Sequence, residues 1–290
     1  MKFFIKPVGG VFVLSTFLVS TLFLSACNGN HNSDKVLPEE PKTCFPESTL
    51  MAANIVGGQM VKEADADSHR VMMVMFNGEL CTAAAIAPDV ILTAAHCIQG
   101  DAKKSYVAFA NSLSCESGFD VNKNTVDIAD YVVFEKYDIK MGPSQAEGDL
   151  ALVLLKSVIP FDYSIFKIAK PQLVSSNDNL YFYGYGLTGT KSGGSGFLRK
   201  TTITRSDYQI QEADKKIKVD QSHGTGICNG DSGGPALVEV NGELQILGVN
   251  SYVFGPENDY CSKGSYLVLV DSYRDWIAEK MQKWNRQLLE

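Results

Sequence analysis

From Ile55 onward the chain is built of short apolar segments separated by turn signals, with little helical periodicity until its end. That punctuation confines the fold to antiparallel β-structure. Val71 to Phe76, Asn77-Gly78 and Leu80 to Ile86 read as a hairpin, because Asn-Gly accepts the positive φ angles of a tight type I′ turn. The same signal places a second hairpin at Asn241-Gly242, between Ala236 to Val240 and Leu244 to Val249. Val90 to Thr93, Tyr131 to Phe134, Leu150 to Leu155, Leu180 to Tyr183 and Tyr266 to Val270 have strand length. Near the C-terminus Tyr273, Trp276, Ile277, Met281, Trp284 and Leu288 recur at helical spacing, which predicts an amphipathic helix over 272–289. The expected fold is all-β: two antiparallel six-stranded β-barrels, over about 55–160 and 170–270, joined near 156–172 and closed by a C-terminal α-helix.

The N-terminal segment differs in kind. Lys2 and Lys6 precede an apolar run from Val11 to Ala26, the layout of an export signal over 1–26. The run is short for a bilayer-spanning helix, which needs about 20 residues. Leu24-Ser25-Ala26-Cys27 resembles a bacterial lipobox, which implies lipidation at Cys27 and a membrane partner through that lipid. The expected location is then the bacterial cell envelope or outer surface as a lipoprotein, or the secreted fraction if the signal is a plain secretory one. Residues 27–54 form a polar tether or propeptide: from Asn28 to Lys42 too few apolar side chains are present to offset the entropy of ordering. The net charge of −7 and the lack of a basic run argue against nucleic acid as a partner.

A serine hydroxyl is a poor nucleophile near neutral pH, so it needs a base and a pair of donors for the oxyanion. Cys228-Asn229-Gly230-Asp231-Ser232-Gly233-Gly234-Pro235 offers both a serine and a backbone able to turn sharply around it. The amides of Gly230 and Ser232 can then point at one spot. Gly230-x-Ser232-x-Gly234 also fits the nucleophile elbow of an α/β-hydrolase, but there the histidine follows the serine, and no histidine lies beyond His223. Of the four histidines, His31 falls in the tether, His69 and His223 adjoin polar or glycine-rich loops, and His96 follows a strand and precedes a cysteine.

Four motifs together resemble the trypsin-like serine protease family: Ile55-Val56-Gly57-Gly58, Thr93-Ala94-Ala95-His96-Cys97, Gly148-Asp149-Leu150-Ala151-Leu152 and Gly230-Asp231-Ser232-Gly233-Gly234-Pro235. They stand in the family's order and span nearly all of the chain after Ile55. The resemblance implies a serine endopeptidase with Ser232 as nucleophile, His96 as general base and Asp149 as the group that fixes the imidazole tautomer. Gly230 and Ser232 would form the oxyanion hole, and Ser251 would border Asp149. Tyr252 stands where the family usually has tryptophan. Of seven cysteines, six remain if Cys27 carries lipid, and these can pair in many ways. The family pattern picks out Cys81–Cys97 and Cys228–Cys261, leaving Cys44 and Cys115 as a possible third bridge that keeps the propeptide attached.

The resemblance also implies activation by cleavage after Asn54, with the freed amine of Ile55 pairing with Asp231. Asn54 is not Arg or Lys, so a protease other than a trypsin-like one, or autolysis, would cut there. At the base of the primary pocket, where an aspartate would select basic side chains, stands Gly226, followed by Ile227. With no buried anion to offset desolvation of a cation, and with Gly264 leaving one wall open while Val253 and Ile227 narrow the pocket, a small or medium apolar residue is expected before the scissile bond. Protein or peptide substrates are the implied partners, with an activating protease. No metal cluster is evident and no cofactor is expected. The competing reading is a catalytically silent homologue that binds a protein partner through the same cleft, against which the intact Ser232, His96 and Asp149 weigh.

Overall fold

A computed structural model describes Cys44 and residues 56–100, 105–141, 147–190 and 194–290. The expected signal segment, Cys27, the tether apart from Cys44, and Ile55 lie outside the described residues.

Six strands close a barrel: β2 (Met72–Phe76), β3 (Glu79–Ala87), β4 (Val90–Thr93), β5 (Tyr106–Ala108), β6 (Thr125–Val133) and β7 (Ala151–Leu155), in the order β2-β3-β4-β7-β6-β5. The turn between β2 and β3 has Asn77 at φ 52° and Gly78 at φ 91°, the pair of positive angles that the Asn-Gly signal anticipates. Side chains of β2 and most of β3 are buried, because closing a sheet turns one face of every strand inward. A four-residue helix, α1 (Val121–Asn124), leads into β6 and is capped by the Asp120 carboxylate, which accepts from Asn122 N at 3.0 Å.

The second sheet comprises β1 (Gln59–Met60), β8 (Leu180–Gly184), β9 (Arg199–Ile203), β10 (Tyr208–Gln211), β11 (Lys216–Asp220), β12 (Pro235–Val240), β13 (Glu243–Phe254) and β14 (Gly264–Leu269). Its order is β1-β9-β8-β12-β13-β14-β11-β10, antiparallel throughout. The expected all-β fold of two barrel units with a terminal helix is present, the second unit as an open half-barrel. β1 contributes two residues paired to β9 alone and β10 pairs with β11 alone, so the eight strands do not close. The turn between β12 and β13 repeats the first hairpin, with Asn241 at φ 54° and Gly242 at φ 83°.

The C-terminal helix α2 (Arg274–Lys283), entered through a 3₁₀ turn over Val270–Tyr273, is shorter than its sequence periodicity suggests. Ile277 and Met281 are fully buried in the same apolar cluster as the barrel residues Ile86 and Leu152. Trp276 and Trp284 lie over the barrel and donate their indole N–H groups to Glu135 and Asp130 of the β6 region, each at 2.9 Å. A helix of ten residues is marginal alone in water, so this packing holds it. No described helix is long and apolar enough to cross a membrane.

Candidate active site

β4 and β7 run antiparallel with Thr93 opposite Ala151, which brings the end of one strand beside the start of the other. His96, in the 3₁₀ turn Ala95–Cys97 just after β4, therefore meets Asp149 just before β7. Asp149 Oδ2 accepts from His96 Nδ1 at 2.8 Å, and Oδ1 accepts from the backbone N–H of His96 at 3.0 Å. A third donor, Ser251 Oγ, reaches Oδ2 at 2.5 Å. Ser251 falls where the register of β13 on β14 shifts between Asn250 and Tyr252, and such a bulge re-aims a side chain out of the ladder. The Asp149 side chain is 3% exposed, so these three donors converge on a buried carboxylate. Because a carboxylate only accepts, Nδ1 of His96 carries the proton and Nε2 is left as the acceptor.

Ser232 is held from both sheets. Thr82 of β3, fully buried between Cys81 and Ala83, donates its N–H to Ser232 O at 2.9 Å and its hydroxyl to Gly230 O at 2.9 Å. From β13, Asn250 O accepts from Gly233 N at 2.8 Å, and the Asn250 side-chain amide donates to Asp231 O at 3.0 Å. At Gly233, with φ 79°, a Cβ would stand 2.0 Å from Thr93 Oγ1, so the chain can pass between the sheets only without a side chain. The N–H groups of Gly230 and Ser232 donate to no protein acceptor among the described residues. His96 and Ser232 line the same two cavities but are not hydrogen-bonded to each other.

One cavity, about 600 Å³, is bounded by Phe76, Leu80, the Cys81–Cys97 bridge, Leu187 and Asn229. The other, about 480 Å³, is bounded by Tyr137, Ile227, Ser251, Tyr252, Val253 and Tyr260. The expected wall residues Ile227 and Val253, with Tyr252, thus gather beside Ser232. Gly226 and Gly264 line neither cavity. Behind Gly226 lies the buried side chain of Gln221, whose Cδ a Cβ at 226 would meet at 2.2 Å. Gln221 accepts from Ile227 N at 3.0 Å and donates to Ile227 O at 3.1 Å and Cys261 O at 2.6 Å, tying two walls of the cavity together. Gly264 abuts the Phe254 ring.

Sequence reasoning missed Thr82, Tyr137, Gln221 and Tyr260. Thr82 alone carried a local signal, as the polar residue within Leu80 to Ile86. Tyr137 and Tyr260 come from loops, and Tyr260 OH accepts from the Asn229 amide at 3.0 Å. Burial raises the pKa of Tyr137, and the nearby Asp149 charge adds to the shift, so its phenol stays neutral.

Asp231 is fully buried. Burial pushes its carboxyl up to about 7, against opposing contributions from the N–H groups of Cys228 and Gly186 and from the Arg199 charge. Those N–H groups donate to it at 2.9 and 2.8 Å. Disulfides join Cys81 to Cys97, Cys228 to Cys261 and Cys44 to Cys115. Cys81, His96 and Cys97 bring possible metal-binding atoms within 4.8 Å of one another, but both sulfurs are consumed in a disulfide and cannot serve as thiolate ligands.

The all-β architecture, with a closed barrel, an open second sheet and a short terminal helix, is of the chymotrypsin-like class. The family model for trypsins matches residues 55–277, and the chain belongs to the trypsin family. It is similar to chymotrypsin-like elastase family member 1 of Canis lupus familiaris, at 25% identity over 78% of this chain and 91% of that protein. It is also similar to a chymotrypsin of Phaedon cochleariae, at 29% identity over 80% of this chain and 84% of that one. Among solved structures, human heparin binding protein superposes with a TM-score of 0.60 at 22% identity, over 77% of this chain and 95% of that one.

Proposed function

We propose that the chain is a serine endopeptidase that hydrolyses peptide bonds through an acyl-enzyme on Ser232. The observation that carries this reading is the buried Asp149 carboxylate, which holds His96 by two hydrogen bonds with Nε2 left to accept, in a cleft that Ser232 shares. His96 takes the Ser232 proton as Oγ attacks the carbonyl carbon, and the carbonyl oxygen develops negative charge. The unengaged amides of Gly230 and Ser232 meet that charge; losing one such donor typically costs about 10² to 10³ in rate. His96 then gives the proton to the leaving amine, and water repeats the sequence to free the enzyme.

Ile227, Tyr252 and Val253 form an apolar wall with no buried anion, which supports a small or medium apolar residue before the scissile bond. The substrate backbone adds as a strand beside 251–253. Cleavage after Asn54 frees the amine of Ile55, which pairs with Asp231 and raises activity. The lipobox-like Leu24-Ser25-Ala26-Cys27 supports export and lipid anchoring, and the Cys44–Cys115 bridge would keep the activated domain attached to that anchor.

The test is a peptide-library cleavage profile of the chain processed at Ile55, with Ser232→Ala as control. Cleavage after small or medium apolar residues, abolished in Ser232→Ala, is expected. Absence of cleavage would favour a silent homologue, and a profile dominated by Arg and Lys would overturn the specificity.

A further inference from the structure

Arg199 opens β9, is 2% exposed, and has no carboxylate within ion-pairing distance among the described residues. One guanidinium nitrogen, Nη1, donates to the carbonyls of Gly194 at 2.5 Å, Phe197 at 3.3 Å and Gly186 at 3.5 Å, while the buried Nε has no partner. A guanidinium does not shed its proton in a protein, so this is a buried positive charge neutralised by carbonyl dipoles alone at close range.

The register shows what balances it. Arg199 stands directly opposite Gly184 on β8, so a side chain at 184 would project from the same face beside it. That space is filled by the Asp231 carboxylate: a Cβ on Gly184 would stand 2.2 Å from Asp231 Oδ1. Gly186 joins the two charges through one peptide residue, giving its N–H to Asp231 and accepting from Arg199 at its carbonyl. Each charge supports the ionised form of the other, since Asp231 raises the Arg199 pKa against the fall due to burial, and Arg199 lowers that of Asp231. Removing one member of such a buried pair leaves the other charge uncompensated.

We propose that Arg199 is a positioning residue that supplies the countercharge to Asp231 in the uncleaved chain, so that the Gly230–Ser232 segment is ordered for catalysis before Ile55 is freed. This rests on the reading of Ser232 as nucleophile. Cleavage would then add the Ile55 amine as a second cation beside Asp231, so maturation enhances activity instead of creating it. The uncleaved chain is an enzyme in its own right, and Arg199 matters to it far more than to the cleaved form.

The experiment uses the full chain with an enteropeptidase recognition sequence in place of residues 50–54, which yields intact and cleaved forms from one preparation. Labelling rates with a fluorophosphonate probe at pH 8, where Asp231 is ionised, are compared for wild type, Arg199→Gln and Arg199→Lys. The intact wild type labels at a measurable rate, Arg199→Gln slows the intact form by at least about tenfold, and Arg199→Lys restores it. Cleaved Arg199→Gln stays within about threefold of cleaved wild type. An intact wild type that does not label while the cleaved form does, or equal slowing of both forms by Arg199→Gln, overturns the proposal. Should Arg199→Gln fail to fold, Arg199→Lys decides: labelling of its intact form supports the charge, and selective loss from that form refutes it. Failure of the cleaved wild type to label sinks the nucleophile assignment itself.

Discussion

Replacing Asp149 with asparagine changes one atom of a site whose hydrogen bonds are fully specified. Three donors converge on the carboxylate: the His96 backbone N–H on Oδ1, and His96 Nδ1–H with Ser251 O–H on Oδ2. An asparagine must put its NH₂ at one of these positions. At Oδ1 it would face a backbone N–H that cannot reorient, and a buried unsatisfied donor costs about 1–3 kcal/mol. At Oδ2 it faces groups that can adapt, because the serine hydroxyl rotates and the imidazole can shift its proton. The second arrangement wins by that margin, roughly 5- to 150-fold at 1.4 kcal/mol per decade. Its consequence is an imidazole protonated on Nε2 and unable to accept from Ser232. The negative charge that stabilises the imidazolium is lost as well, so kcat should fall by about 10⁴ with little change in KM. Hydrolysis of a chromogenic peptide by the processed chain measures this, with urea denaturation checking that stability is maintained. An Asp149→Asn variant within tenfold of wild type would refute the tautomer reasoning.

Three further outcomes follow from particular contacts. Gly226→Asp should not confer cleavage after Arg or Lys, because a Cβ at 226 meets Gln221 at 2.2 Å; overpacking should cost about 1–3 kcal/mol, read by thermal melting beside a peptide-library profile. Joint replacement of Cys81 and Cys97 by serine removes a crosslink of sequence separation 16 and should lower stability by about 3 kcal/mol in urea titration. Asp231 in the uncleaved chain has its pKa raised from 3.8 to about 7, so the folded state binds more protons than the unfolded state between those values. Its stabilising effect is full below about pH 4 and is lost as pH rises through 7. Wild-type stability should therefore fall relative to Asp231→Asn over that window, and parallel pH profiles for the two would contradict this.

Much of the fold is legible where one local rule dominates. Both Asn-Gly turns form as read because the residues at positive φ are set by local sterics, and β4, an apolar run bounded by turn residues, keeps its expected limits. β9 and β11 escaped because β9 buries Arg199 and Thr201 beside Ile203, and β11 sets only Ile217 and Val219 among Lys and Asp, so hydrophobicity alone hides them. β5, at three residues, is too short to show a period. Barrel closure is a matter of edge pairing, which no local pattern encodes. In the site, the His96 and Ser232 segments announce themselves by glycines and small residues packed into motifs. Gln221 does not, since its contact with Cys261 spans 40 residues and exists only once β11 and β14 pair. Arg199 likewise carries no local signal until the register places it opposite Gly184, whose side-chain space Asp231 fills.

The most direct test treats the processed chain with diisopropyl fluorophosphate and maps the adduct by mass spectrometry. A single phosphorylated residue at Ser232, absent when His96 is replaced by alanine, is the predicted outcome. A native chain that remains unmodified, or that reacts equally well without His96, would contradict an alcohol activated by that imidazole.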